Sequence, residues 1–316
     1  MSTTSTDTYD QVGIREDLAN VIYNVDPSDT AFLSMAPKTT AKSTLHEWQT
    51  DTYAAVSDNK AIEGADATFA AAAATVRLNN RLQIGQKTAQ ISGTLEATDR
   101  AGRDKEMTYQ ILKRGVELKR DMEHAMVGLN NAKVVGSTSV AREAASMQAY
   151  IVTNTSFNAT GGADPTDGTG DNARTDGTQR AFTEGLLETV IDSIFTNSGE
   201  MADTILLGSF NKRAMNAFVG RATTTDHNVA AGSIVSAADV YKSDFGDLKI
   251  IPSRYSRSRD ALVYKKDKWA VAYLRNMQTK DIAPVGDAER KQCLVEYTLE
   301  ARNEASSGIV ADLTTA

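Results

Sequence analysis

The segment 99–130, DRAGRDKEMTYQILKRGVELKRDMEHAMVGLN, carries the pattern around which the chain is organised. Its apolar residues recur at steps of three and four, which is the spacing of one face of an α-helix. These residues are Met107, Ile111, Leu118, Met122, Ala125 and Leu129. Thr98 or Asp99 is a candidate N-cap, Gly115 fills the gap in the stripe, and Gly128 marks the expected end. The sequence therefore predicts one helix of about 32 residues, roughly 48 Å long, here called the spine helix.

The other faces of the spine helix are crowded with charge. Lysine and arginine are interspersed there with aspartate and glutamate, and only a narrow stripe is apolar. Such a rod lies across a core rather than inside it, because its charged faces need water or partners. Two interpretations remain open: a solvated surface helix of an ordinary domain, or a spine that also contacts neighbouring copies of the chain.

The composition is that of a soluble globular protein with an acidic balance. Of the 316 residues, 24% are charged and 41% apolar, and the formal net charge is −7. This balance argues against a nucleic-acid binder that neutralises phosphates, which needs a basic face. A single cysteine, Cys293, excludes a disulfide within the chain. No run approaches the roughly 18 apolar residues of a membrane span, and MSTTSTDTYD at the start lacks the features of a secretory signal.

The first 40 residues have the pattern of an arm rather than of a domain. Apolar spacing predicts a short helix over 12–23. A second amphipathic turn carries Phe32 and Leu33 and ends at Pro37. These elements have too little apolar surface to fold alone, so we expect them to lie on the body of the chain or on a neighbour.

The next segment predicts a projecting flap. Residues 42–53 alternate and are rich in threonine, and two further strand-like runs lie over 76–78 and 82–91. Between them, 54–74 is a small-residue stretch without strong periodicity. We expect a long two-stranded flap with an irregular tip, resting against another surface because a lone ribbon is marginal in water. The alternative is two strands of an ordinary sheet.

Two stretches follow the spine helix. Residues 141–150 are predicted to be helical, and 154–177 form a low-complexity loop dominated by Gly, Asp, Asn and Thr, in which no packed structure is expected. The aspartates of this loop do not have the spacing of an EF-hand, so an exposed surface loop is favoured over a calcium site. They are Asp164, Asp167, Asp171 and Asp176.

The block 179–290 alternates helices and strands and should hold its own α/β core. The predicted elements are helices over 179–197 and 211–218, strands over 204–207, 240–245, 248–252, 261–264 and 269–274, a small-residue loop over 219–233, a hairpin turn at Gly246-Asp247 and a Lys-Lys-Asp-Lys turn at 265–268. The last element, 293–302, alternates as a strand whose apolar face includes Cys293, which we interpret as a core thiol.

Signatures of catalysis are missing from the sequence. It contains no phosphate loop, no G-x-G-x-x-G and no G-x-S-x-G motif. The three histidines, His46, His124 and His227, are not spaced as zinc ligands. We therefore predict no catalytic residue, cofactor or metal site, although distant residues could still converge on a triad in space.

Several runs of residues together resemble a known family. They are EDLANVIYNVDPSDTAFLSM (16–35), HEWQTDTYAA (46–55), EGADATF (63–69), ELKRDME (117–123), GTQRAFTEGLL (177–187), VYKSDFGDLKIIPSR (240–254) and EYTLEARNEASSGIVADL (296–313). The chain resembles the major capsid proteins of tailed bacteriophages, which have the Hong Kong 97-type fold. The resemblance covers nearly the whole sequence.

This resemblance implies an α+β fold in five parts: an N-terminal arm (1–40), an extended two-stranded loop (41–95), a peripheral domain with the spine helix and a surface loop (96–178), an axial α/β domain (179–290) and a return strand of the peripheral domain (291–316). It also implies self-assembly into pentamers and hexamers of an icosahedral shell around double-stranded DNA, with assembly in the host cytoplasm. A portal is implied as a partner, with a cement protein as a further candidate and no membrane. Because the arm begins close to Met1, we expect a separate scaffolding protein.

Residues proposed for contacts between subunits are Glu47, Trp48, Glu63, Arg103, Arg114 and Arg120. The three arginines are expected to pair with acids of adjacent copies. Lys60 is a crosslinking candidate by location only, and no motif fixes that chemistry. The alternatives are an encapsulin-like nanocompartment shell, and a hydrolase with a site in 179–290.

Overall fold

The computed structural model describes residues 30–64, 66–67, 69, 71–98, 105–218 and 239–315. Its α-helices are α1 (Ala31–Met35), α2 (Gly93–Ala97), α3 (Glu106–Glu123), α4 (Glu184–Ser198) and α5 (Ser209–Met215). Its strands are β1 (Lys38–Thr40), β2 (Leu45–Thr50), β3 (Val76–Arg81), β4 (Gln83–Ser92), β5 (Thr155–Ser156), β6 (Thr204–Leu207), β7 (Val240–Ser243), β8 (Gly246–Pro252), β9 (Ala261–Tyr264), β10 (Trp269–Ile282), β11 (Ala288–Ala301) and β12 (Gly308–Val310). Within these residues, every helix is too short or too polar to cross a membrane.

Three sheets organise the chain, and the predicted α+β class is confirmed. A four-stranded sheet has the order β1-β10-β11-β4, and a six-stranded sheet has the order β5-β12-β9-β6-β8-β7. The third sheet is the two-stranded pair β2-β3. The larger of two main hydrophobic clusters joins the spine helix, the four-stranded sheet and one face of the six-stranded sheet. The other lies between the opposite face of the six-stranded sheet and α4.

The spine helix is shorter than predicted. It comprises α3 and one π-helical turn, His124–Gly128. A continuous helix from Asp99 is wrong, because Lys105 has extended backbone angles (φ −123°, ψ 115°) and Thr98 is also extended. The predicted end at Gly128 is confirmed: a Cβ there would lie 2.1 Å from the Tyr255 carbonyl oxygen, so only glycine fits. Residues 99–104 lie outside the described part of the chain.

The spine helix buries its apolar stripe against the four-stranded sheet. Met107, Leu118 and Met122 are buried, as the periodicity predicts. The β11 strand beneath is also confirmed, and Cys293 is a buried thiol on it. Both faces of β11 are covered, however, because the polar residues alternating with the apolar ones are also buried. They include Glu296, Thr298 and Glu300.

The arm and the flap form as expected where the structure describes them. The short turn carrying Phe32 and Leu33 is α1, and β1 then pairs in parallel with β10. The predicted helix over 12–23 lies outside the described residues. Among the described residues, strands β2 and β3 pair only with each other, which agrees with the flap. The run 82–91 is instead β4, which belongs to the four-stranded sheet, so the ordinary-sheet alternative holds for that run. Where described, residues 51–75, here called the flap tip, have no helix or strand.

The helical prediction for 141–150 is wrong, and the prediction of an unpacked surface loop over 154–177 is right only in part. Only one 3₁₀ turn, Met147–Ala149, forms in the first stretch, because the Asn80 side chain binds the backbone of Ala145 in place of a helical partner. The second stretch is partly packed: it contributes β5 and buries the Arg174 side chain, whereas Asp167, Asp171 and Asp176 are exposed, as a surface loop predicts. Polar composition suggested an exposed loop here because it does not reveal which charges find partners inside the protein.

Elements in 179–290 agree with prediction in number and differ in detail. Helix α4 begins at Glu184 rather than Gln179, because the backbone of Arg180 instead pairs with the C-terminal segment at Asp312 and Thr314. Strands β7 and β8 form the predicted hairpin, but Ser243 pairs with Gly246, so the turn lies at 244–245. The Lys-rich turn joins two sheets rather than closing a hairpin, since β9 and β10 belong to different sheets. The predicted loop over 219–233 lies outside the described residues.

Candidate subunit-contact surfaces

The arm is fixed to the spine helix by a buried carboxylate. Glu123, the last residue of α3, is fully buried and accepts the backbone N–H groups of Phe32 and Leu33, each at 2.8 Å. A carboxylate at the N-terminus of a helix satisfies unpaired N–H groups and complements the helix dipole. The Phe32 ring meets Tyr264 edge-on at 5.9 Å between centroids, and burial together with the Glu123 charge raises the pKa of Tyr264. The chain entering α1 is therefore held to the body.

The flap base is the strand pair β2–β3, and its first strand, β2, is held at Glu300 on β11. One oxygen of this carboxylate accepts hydrogen bonds from Thr39 at 2.9 Å and from His46 Nε2 at 3.1 Å, and the other from Arg302 at 3.0 Å. Burial opposes ionisation, but these donors outweigh it and lower the pKa of Glu300 to about 2. One carboxylate thus joins arm, flap and sheet.

The second strand of the flap base, β3, is held by Lys133 and Tyr150. The Lys133 ammonium donates to Asn79 Oδ1 at 2.7 Å, and the Tyr150 hydroxyl donates to the Asn79 carbonyl at 2.9 Å. The fully buried Asn80 donates to the Leu299 carbonyl at 2.8 Å. Both strands are therefore anchored where the flap leaves the body.

Beyond that base, the flap tip exposes large apolar side chains. Tyr53, Val56 and Phe69 are each at least 96% exposed, and Ile62 is 84% exposed. Exposed apolar side chains are ordinary when scattered singly, but four of them within one short segment without regular structure favour contact with a partner.

The predicted contact residues do not gather at one place. Glu47 and Trp48 lie at the flap base, Glu63 lies in the flap tip, and Arg114 and Arg120 lie on the spine helix. Arg103 lies outside the described residues. Lys60, in the flap tip, pairs with Asp58 at 2.5 Å.

Several of these side chains also have partners within their own chain. Trp48 donates its indole N–H to the Ala301 carbonyl at 2.6 Å. Arg114 pairs with Glu117 at 2.7 Å, and the Arg120 guanidinium lies 5.4 Å from the centre of the Tyr255 ring.

A partly buried ionic network, missed from the sequence, ties 154–177 to the six-stranded sheet. Asp312 accepts the Gly177 N–H at 2.7 Å and the Asn158 N–H at 3.1 Å, and pairs with Arg259. The other members are Asp164 with Arg174, Asp176 with Arg257 and Arg259, and Asp260 with Arg257. Burial raises the pKa of Asp260 despite Arg257. The signal in the sequence was the arginine-rich SRYSRSRD (253–260), whose charges complement the acidic loop.

Catalytic chemistry receives no support from the described residues. His46 is bound to Glu300 and His124 to the Tyr255 carbonyl, while His227 lies outside the described part. A cleft of about 500 Å³ lies beside the spine helix, and no serine or cysteine is among its lining residues in the described chain. Within the same residues, no cluster of three metal-ligating side chains occurs.

Comparisons with known proteins agree with this architecture. The family profile described as SU10 major capsid protein matches residues 1–314. The major capsid protein of Escherichia phage Phieco32 is 27% identical over 341 residues, covering 96% of this chain and 95% of the relative. Among solved structures, the capsid of cyanophage A-1(L) superposes with a TM-score of 0.67 at 12% identity, covering 98% of each chain. A structure of phage G major capsid and decoration proteins gives a TM-score of 0.56 at 11% identity, covering 99% of this chain and 100% of that one.

Proposed function

Since the chain belongs to the SU10 major capsid protein family, it is a phage major capsid protein, and we propose that its copies form the pentamers and hexamers of an icosahedral shell around double-stranded DNA. The prediction from the sequence runs is thereby confirmed at the level of a tailed-phage capsid protein of the Hong Kong 97-type fold. The proposed activity is self-assembly, with no catalytic step. Many weak contacts summed over a closed lattice supply its stability.

The flap tip is the observation that carries this proposal. It leaves four large apolar side chains in water, although the flap base is anchored firmly to its own chain. A monomer gains nothing from this arrangement, because burying apolar surface is favourable and exposing it is not. A second copy that covers the flap tip would supply the missing burial.

The proposed inter-subunit residues fall into three groups around the contact made by the flap tip. Glu63 lies in the flap tip, and Glu47 and Trp48 set its base. Arg103, Arg114 and Arg120 are proposed to pair with acids of adjacent copies. An exposed ion pair such as Arg114–Glu117, at 2.7 Å, contributes little to stability by itself. Contacts with acids of an adjacent copy would make it part of a charge network.

Other partners are proposed from the resemblance and from one neighbour. A separate scaffolding protein and a portal follow from the family resemblance, as does assembly in the host cytoplasm. The phage G structure contains decoration proteins, which supports a cement protein as a candidate partner here. Family membership favours this capsid over both an encapsulin-like nanocompartment and a hydrolase.

Negative-stain microscopy of the purified protein, alone and with its scaffolding protein, tests the proposal. Closed shells are expected for the wild type. The double variant Val56→Ser, Phe69→Ser should stay folded, since neither side chain is buried in its own chain, yet lose most shells. The matched control Val56→Ile, Phe69→Leu keeps apolar surface and should assemble. Equal shell yield from the serine variant would contradict the role of the flap tip, and a persistently monomeric wild type would contradict the function itself.

A further inference from the structure

A cleft of about 500 Å³ opens between the C-terminal half of the spine helix, strand β4 and the segment that follows β8. Its lining is almost entirely charged or aromatic, unlike the mostly apolar pockets that bind small molecules. The lining residues are Lys87, Glu117, Arg120, Asp121, His124, Arg254 and Tyr255.

The walls of the cleft are held in place by the fold. Glu117, Asp121 and His124 recur at steps of four and three, so they share one face of the spine helix. Across from them, Tyr255 is fixed by its N–H bond to Ser253 Oγ at 3.2 Å and by its carbonyl contact with His124 Nδ1 at 3.2 Å. The cleft is therefore a built feature and not a gap between loose loops.

Both carboxylates that line the cleft already have cationic partners within the chain. Asp121 is engaged by Lys87 at 2.7 Å, and Glu117 by Arg114 at 2.7 Å. Arg254 is exposed, and no carboxylate of the described residues lies within ion-pair distance of it.

We propose that this cleft receives a carboxylate side chain from a second copy of the chain, with Arg254 as its principal partner. The inference rests on the proposed function, because it requires copies to assemble. A guanidinium binds a carboxylate through paired N–H donors, which fixes orientation as well as charge. Each copy has 41 acidic and only 34 basic residues, so a surplus of carboxylates is available on neighbours.

A carboxylate fits the cleft better than packaged DNA does. A space of about 500 Å³ holds a few side chains rather than a duplex.

Zero-length crosslinking in mixed-isotope shells tests the contact directly. The substitution Arg254→Lys preserves the charge and introduces an amine that carbodiimide joins to a touching carboxylate. Shells assembled from equal amounts of ¹⁴N and ¹⁵N chains should give crosslinked peptides of mixed isotope at position 254, and unassembled protein should not. The absence of mixed peptides from assembled shells would overturn the proposal.

Charge reversal gives the second measurement. Arg254→Glu should raise the protein concentration needed for assembly by about tenfold, the change that corresponds to losing one favourable charge contact and gaining a repulsive one. Lys242→Glu, at an exposed position on β7, is the matched control and should assemble normally. If Arg254→Glu assembled like wild type and altered only DNA retention, the partner would be phosphate and the proposal wrong. Failure of wild-type protein to assemble would instead reject the proposed function.

Discussion

The Glu123 carboxylate and the backbone N–H of Phe32 meet at 2.8 Å, although the two residues are 91 positions apart. This bond and its twin to Leu33 place a charge in the protein interior, where an unpaired carboxylate is costly and a hydrogen-bonded one is tolerated. Glu123 is also the last α-helical residue before the π-helical turn His124–Gly128. The position at which the spine helix changes its hydrogen bonding is thus the position that holds the arm.

Replacing Glu123 by Gln should release the arm without unfolding the body. The amide nitrogen would face a backbone N–H, so at least one buried donor loses its acceptor, at a cost of about 1–3 kcal/mol. Hydrogen exchange at Phe32 and Leu33 should accelerate by about tenfold or more. Glu188→Gln, at an exposed position on α4, is the control and should leave exchange at α1 unchanged. Unaltered protection of both amides in Glu123→Gln would show that the carboxylate does not hold the arm.

Glu300 should make the stability of the protein depend on acid. Its pKa is lowered from 4.5 to about 2, so its contribution to folding is complete above pH 4.5 and is lost as the pH falls toward 2. Urea unfolding of wild type and Glu300→Gln should be measured from pH 7 to pH 3. The difference in unfolding free energy between the two proteins should be largest at neutral pH and should shrink below about pH 4.5. A constant difference across this range would mean that the ionised form is not favoured by folding.

Asp312 should be sensitive to the shape of its replacement as well as to its charge. Its φ of 59° lies in the left-handed region, which Asn tolerates better than Ala does. Asp312→Ala loses both backbone acceptor contacts and adds strain, for an expected cost of about 2–4 kcal/mol. Asp312→Asn keeps one carbonyl oxygen and the backbone preference, so its loss in unfolding free energy should be clearly smaller. Equal losses in unfolding free energy for the two variants would argue against a contribution from the retained carbonyl oxygen and from the backbone preference of Asn.

Gly85, which faces the spine helix, and Gly115, which lies within it, differ in what an added methyl group would meet. At Gly85 on β4, a Cβ would lie 3.0 Å from Leu118 Cδ1 and 3.2 Å from Val295 Cγ1, whereas at Gly115 it meets nothing within 4 Å. Gly85→Ala should therefore destabilise the monomer by about 1–3 kcal/mol through overpacking. Gly115→Ala should stabilise it by roughly 0.5–1 kcal/mol through helix propensity.

Thermal unfolding of both glycine variants, with shell yield measured alongside, checks this contrast. A rise in melting temperature for Gly115→Ala together with lower shell yield would indicate that a neighbouring copy approaches the spine helix at that level. A fall in melting temperature for Gly115→Ala would contradict the prediction.

Prediction from the sequence succeeded where one periodicity governed burial. The stripe that includes Met107 and Leu118, the apolar face of α4 and the alternation in β11 all lie where the sequence predicts. It failed at 141–150, where the Asn80 side chain replaced helical bonds, and at Lys105, where the backbone is extended and the helix cannot pass. Local propensity is weak beside such tertiary contacts.

The amino-acid sequence by itself determined the class of the fold, the faces of the main helices and strands, and the family, because these depend on short-range spacing and on runs of residues read directly from the chain. The tertiary structure alone decided where the spine helix begins, which part of the Asp-rich segment is packed, and which charges are buried in pairs. Such pairs join residues far apart in sequence, as Gly177 and Asp312 do across 135 positions. Burying a charged side chain costs little free energy only when an oppositely charged partner lies beside it. No local sequence pattern identifies that partner.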